Sequence, residues 1–303
     1  MTLPLGESLD ATNVNWLSTG SAQWFGQTNT THDGIDAARS GSIGNSQETV
    51  LQASITASWS GRYTFWWKVS SEPVVDKLEF RLNGVVQTNI SGEVDWQSVS
   101  IPVAAGTSLL QWRYFKDVSN SGGQDAAWVD QFVFIPDPPV ITLQPVPANQ
   151  TVNLGANVNY FIRANGGTLN YQWLQNGSNV VGGNSSSLNL NGVSRAQNGN
   201  YFVVVTNSGG GVTSSVVNLK VLVSQQLAAP VMLLGGAFQL SSTDANGGLL
   251  TPADLANLQT QASTNLTDWT TLSNALTLTN GVLMLQDPAA TNAANRFYRI
   301  LEN

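Results

Sequence analysis

Apolar side chains in this chain recur at every second position, in short runs that end at glycine, proline or asparagine. That spacing suits strands and leaves little room for helices. The clearest run is Lys77-Leu78-Glu79-Phe80-Arg81-Leu82, with Leu78, Phe80 and Leu82 on one face and Glu79 and Arg81 on the other. Asn83-Gly84 follows as a two-residue hairpin signal before Val85. The stretches Tyr63 to Val69, Leu109 to Tyr114 and Ala126 to Phe134 read the same way. One departure is Leu249 to Leu258, where Thr251, Pro252 and the leucine spacing predict a single short helix inserted between strands. The predicted class is all-β.

Two breaks divide the 303 residues. Ile135-Pro136-Asp137-Pro138-Pro139 carries three prolines, which remove backbone donors and hold the chain extended. A weaker break runs from Val223 to Pro230. Together they predict three β-sandwich domains in tandem, 1–136, 137–223 and 224–303.

Charged residues make up 10% of the chain, against roughly 25% in an average soluble domain. Asn, Ser, Thr and Gln must therefore supply most of the polar surface, as they do in exported β-proteins. A net charge of −7 with only 12 basic residues argues against nucleic acid or an anionic membrane as partner, because both require clustered Lys and Arg. The absence of cysteine excludes disulfides, thiolate zinc sites and cysteine nucleophiles. No run of about 20 apolar residues offers a membrane-spanning helix, and Met1 to Leu5 lack the basic and apolar regions of a signal peptide.

Four segments carry a family resemblance in the first domain: Thr31-His32-Asp33-Gly34 with Ala37 to Gly41, Phe65 to Glu72, Gly92 to Trp96, and Asp125 to Asp130. In this order they resemble the jelly-roll adhesion modules of the MAM and gingipain cleaved-adhesin type, found in large secreted bacterial proteins. The disulfides of animal MAM modules are missing. In the second domain Trp173, within Tyr171 to Gly177, is similar to the strand C tryptophan of an immunoglobulin-like sandwich, and Tyr201 to its corner tyrosine. Val203 and Ile162 stand where the family often has its disulfide. The third domain, through Gln261 to Trp269, Asp287 and Arg296 to Ile300, resembles a small fibronectin-III-like sandwich that ends exported bacterial proteins. An extracellular or cell-surface location follows from composition and from these resemblances.

The only histidine, His32, sits beside Asp33 and Asp36. Catalysis would need a nucleophile or an oriented partner, and no G-x-S-x-G or nucleotide loop is present, so no catalytic residue and no enzymatic activity are predicted. Asp and Asn oxygens suit calcium. The jelly-roll resemblance implies a structural calcium where the two ends of the first domain meet, on some of Asp10, Asp33, Asp125 and Asp130; the preference of Asp for turns explains the same residues without a metal.

Of the ten tryptophans, Trp16, Trp24, Trp66, Trp67, Trp96, Trp112 and Trp128 gather in the first domain, while Trp173 and Trp269 fit the signatures of the others. They supply either core or a sugar-stacking platform. Trp66 and Lys68 share one strand face and Phe65, Trp67 and Val69 the other, and only one face can be core. The candidate ligand-binding set is Trp66, Lys68, Glu72, Arg113 and Trp128. The expected role is extracellular adhesion or structure, with the first domain presented to a glycan or a cell-surface protein. The alternatives are a subunit of a surface filament or layer that pairs with copies of itself, and the accessory region of a polysaccharide-degrading enzyme.

Overall fold

The computed structural model describes residues 3–234, 238–273, 276–287, 290 and 295–302. The chain divides into two compact units. One comprises Met1–Thr142, Ala164–Asn170 and Val205–Val212, and the other Leu143–Arg163, Tyr171–Val204 and Thr213–Asn303.

Two five-stranded antiparallel sheets build the first 136 residues. In one the order is β1 (Trp16–Gly20), β4 (Glu48–Ala57), β9 (Gly106–Phe115), β6 (Lys77–Leu82) and β7 (Val85–Ser91). In the other it is β2 (Phe25–Gln27), β3 (Ala37–Arg39), β10 (Ala126–Pro136), β5 (Gly61–Ser70) and β8 (Glu93–Val103). The two-residue period decides what they bury. Strand β5 turns Tyr63, Phe65, Trp67 and Val69 into the core, β9 turns in Leu110, Trp112 and Tyr114, and β6 turns in Leu78 and Phe80. Their rings meet edge-on or tilted, with Trp112 5.0 Å from Phe65 and 4.9 Å from Phe80, the arrangement that ring quadrupoles favour. Trp66 and Lys68 therefore lie on the outer face. Gly61 is fixed by close approach, because a Cβ there would stand 2.3 Å from the carbonyl oxygen of Ile135 on β10.

The next sheets are β11 (Val140–Val146), β13 (Val158–Asn165) and β16 (Ser187–Leu190), and opposite them β12 (Gln150–Asn153), β19 (Val217–Leu222), β17 (Gly199–Asn207), β14 (Asn170–Gln175) and β15 (Ser178–Asn179), with β18 (Gly210–Thr213) on β17. Strand β12 joins β19 in parallel. Trp173 is fully buried and its Nε1 donates to the carbonyl of Ser185 at 3.0 Å. The Tyr201 hydroxyl donates to the carbonyl of Gln197 at 2.7 Å, forming the expected corner. Ile162 and Val203 are buried in place of a disulfide.

The last sheets contain β20 (Gln225–Leu227), β22 (Phe238–Asp244), β26 (Val282–Asp287) and β25 (Thr277–Thr279), with β21 (Val231–Met232) on β22, and a three-stranded group of β24 (Thr270–Thr271), β23 (Leu258–Ser263) and β27 (Phe297–Glu302). The predicted helix forms as α1 (Pro252–Leu255), and the backbone N–H and hydroxyl of Thr251 both donate to Asp254 at 2.7 Å. The segment read as a second linker is structured instead. Val223 is buried and donates its N–H to Glu302, and Gln225 to Leu227 pair with β22.

Asp244, Asp254 and Glu302 converge on Arg195, which precedes β17. Its Nε and Nη2 grip both oxygens of Asp244 at 2.7 and 2.8 Å, while Nη1 and Nη2 reach Asp254 and Glu302. Burial works against the charge of this guanidinium, and the hydrogen bonds and charges of Asp244 and Glu302 more than offset it, raising its pKa.

Candidate functional site

Three of the four carboxylates assigned to calcium meet. Strand β10 has an irregularity between Asp130 and Val133, with Gln131 at φ 52°, and the N-terminal segment packs across it, where the N–H of Phe132 donates to the carbonyl of Leu9. That brings Asp10 to Asp130, and the loop before β3 adds Asp33. The carboxylate oxygens of Asp10, Asp33 and Asp130 lie within 4.8 Å of one another. Asp130 is fully buried; its Oδ2 accepts the N–H of His32 at 2.8 Å, and its Oδ1 has no hydrogen-bond partner. Burial pushes the Asp130 carboxyl up to about 6, against hydrogen bonds that lower it. Asp10 and Asp36 are also raised, by burial first and by neighbouring carboxylates second.

Asp125 does not belong to this group. It precedes β10 and lies five residues from Asp130 along an extended chain, about 16 Å at the usual strand rise, and it pairs instead with Lys116 at 2.7 Å.

The ligand-binding set also separates. Trp66, Lys68 and Trp128 share the outer face of the β2-β3-β10-β5-β8 sheet, but His32 stacks on Trp66 at 3.7 Å and Arg39 lies over Trp128, which is 1% exposed. His32 thus occupies one face of the half-buried Trp66 ring, and Trp128 is closed off by burial. Lys68 pairs with Asp95 at 2.7 Å. Arg113 is on β9 in the other sheet, paired with Glu48 and Glu79 and stacked on Phe115. Glu72 lies beyond the end of β5 among Asp76 and Asp117. His32 is held between Trp66 and Gln131, whose Oε1 is 2.7 Å from Nδ1.

Sequence reasoning passed over Trp59. It sits in the turn between β4 and β5, is 43% exposed, and lines an open groove of about 690 Å³ with Asp10, Asn13, Thr168, Asn170 and Ser208, all within the first compact unit. The signal was present: a tryptophan between two serines in a turn has no strand period to bury it. A half-exposed indole beside amide, hydroxyl and carboxylate groups can stack on an apolar ring face while hydrogen-bonding its polar rim.

Residues 138–207 match the family model of the immunoglobulin domain. Among solved structures the chain is similar to a trigonal form of titin M4 (21% identity over 29% of this chain and 99% of that one, TM-score 0.26). It is also similar to the titin I-band fragment I67-I69 (9% identity over 94% and 93%, TM-score 0.36) and to the secreted serine protease VesC from Vibrio cholerae (13% identity over 38% and 25%, TM-score 0.31). Likeness of this degree says nothing of ligand or activity. No curated protein matches the chain.

Proposed function

We propose that the protein is an extracellular, non-catalytic binding protein whose first sandwich, of jelly-roll type, holds a glycan in the groove at Trp59, and whose groove wall is stiffened by calcium on Asp10, Asp33 and Asp130. The observation that carries this reading is the half-exposed Trp59 indole in an open, polar-lined groove. A sugar offers the matching surface, with C–H faces for the ring and hydroxyls for Asn13, Asn170 and Ser208. Asn170, at the start of β14, and Ser208, between β17 and β18, belong to the immunoglobulin-like sheets and share the groove with the first sandwich, while the small last sandwich, of fibronectin-III type, serves as a support.

Glycan-array screening followed by calorimetry tests this. Trp59→Ala should weaken binding of the best glycan roughly two- to tenfold, since a ring contact contributes about 0.5 to 1.5 kcal/mol beyond the area it buries, while Trp66→Ala should change it little. An array with no glycan bound, or equal affinity of the Trp59→Ala protein, rejects the reading.

The calcium part rests on Asp130, whose buried Oδ1 lacks a partner. Its raised pKa sets the sign of a second test. Without metal, the unfolded chain loses the Asp130 proton near pH 4 and the folded protein only near pH 6, so this group's contribution to stability falls as pH rises between them. The difference amounts to roughly 3 kcal/mol. In chelator at pH 7.5, Asp130→Asn should melt at or above the wild type and the gap should close toward pH 4. In excess calcium the order should reverse, because an ion bound only by the folded state stabilises it. An unchanged ranking in calcium and chelator would exclude the site.

A further inference from the structure

A second carboxylate group lies at another end of the same strands. Strands β6 and β9 pair with Lys77 opposite Phe115, which places Asp76 beside Lys116 and Asp117, and the N–H of Asp117 donates to Asp76 Oδ1 at 2.9 Å. Strands β5 and β10 pair with Ser70 opposite Ala126, which brings Glu72 and Asp125 to the same end. The loop between β9 and β10 packs against Glu72, since a Cβ on Gly122 would stand 2.9 Å from the Glu72 Cα. The carboxylate oxygens of Glu72, Asp76 and Asp117 lie within 4.8 Å of one another.

Charge does not close here. Among the described residues the one cation paired with this group is Lys116, whose side chain is 1% exposed and whose Nζ bonds Asp125 Oδ2 at 2.7 Å and the hydroxyl of Ser121 at 2.6 Å. It stays 3.8 Å from Asp76 Oδ2, outside hydrogen-bond reach. Asp76 is fully buried and its Oδ2 accepts no hydrogen bond; the inaccessible Glu72 Oε2 and Asp125 Oδ1 are likewise without donors. One ammonium against four carboxylates leaves an excess negative charge around the fully buried Asp76, with Glu72, Asp117 and Asp125 half-buried at its rim, a costly arrangement unless another cation joins it. Tyr114, whose phenol is raised by burial and then by the charges of Asp125 and Asp76, marks the same excess. Oxygens that share an ion at about 2.4 Å can be up to ~4.8 Å apart, and all-oxygen donors suit a hard divalent ion such as calcium.

We infer that Glu72, Asp76 and Asp117 form a second divalent-cation site, separate from Asp10, Asp33 and Asp130, in which Lys116 neutralises Asp125 and the ion neutralises the rest. The ion would tie the ends of β5, β6 and β9 together and hold the loop that leads into β10.

The test is equilibrium dialysis of the full chain against calcium, with bound metal counted by atomic emission and folding of each variant checked by circular dichroism. The wild type should bind two ions, Asp76→Asn and Asp117→Asn one each, and Asp130→Asn one. Loss of an ion in Asp76→Asn and Asp117→Asn with none lost in Asp130→Asn would support this site and remove the first. A single wild-type ion that disappears in Asp130→Asn, or folded Asp76→Asn and Asp117→Asn proteins that keep the wild-type count, would overturn it. Should neither variant fold, the wild type and Asp130→Asn decide: two wild-type ions, or one that Asp130→Asn keeps, support the site, and none, or one that Asp130→Asn loses, rejects it.

Discussion

Replacing Arg195 by alanine should destabilise the second compact unit by about 3 to 5 kcal/mol, the scale for removing one partner from a buried ion pair. Three carboxylates share this guanidinium, and the side chains of Asp244, Asp254 and Glu302 are 1%, 10% and 7% exposed. With Arg195 gone they would repel one another out of water, each still fixed by a second role. Asp254 accepts from Thr251 at the start of α1, Glu302 accepts the N–H of Val223, and Asp244 accepts from Gln225. Arg195→Lys should recover only part of the loss, because one ammonium cannot reproduce the planar fork that holds both oxygens of Asp244 and still reach Glu302. Urea unfolding measures both variants. A cost for Arg195→Ala below about 1 kcal/mol would mean that solvent reaches these carboxylates and the pairing is a surface one.

Trp173→Ala should cost a similar amount, about 3 to 5 kcal/mol, for a different reason. The indole is fully buried, stacks with Tyr160 at 6.4 Å, and satisfies the carbonyl of Ser185. Its removal leaves a cavity and an unpaired acceptor together. Trp173→Phe keeps most of the volume and loses the donor, so it should fall between wild type and alanine. If phenylalanine proved as costly as alanine, the hydrogen bond and not the cavity would carry the effect.

Strand identity was legible wherever a residue's fate depends on its own neighbours in sequence. The alternation in Tyr63 to Val69 gives the buried face of β5, and Asn83-Gly84, with φ of 51° and 80°, gives the β6-β7 hairpin. Trp173 and Tyr201 read directly because their partners lie at fixed places in their fold. The sites were legible only in part, because they depend on register between strands far apart in sequence. Asp10 and Asp130 are 120 positions apart, and grouping them needed a family resemblance; the same resemblance drew in Asp125, which strand rise keeps away. Asp76 carried no signal at all. Its role follows from Lys77 standing opposite Phe115, a pairing that no local pattern announces. The alternation places Trp66 off the core, whereas Trp128 is fully buried, and the groups that pack on them, His32 and Arg39, come from loop and edge segments whose path the sequence does not disclose.

The apolar residues at Ile162 and Val203 have a consequence for the conditions under which this chain can fold. With no thiol anywhere in the sequence, folding involves no oxidation step and no choice among disulfide pairings. The fold is reached by burial alone, in reducing and oxidising surroundings alike, and owes nothing to an oxidase or a disulfide isomerase.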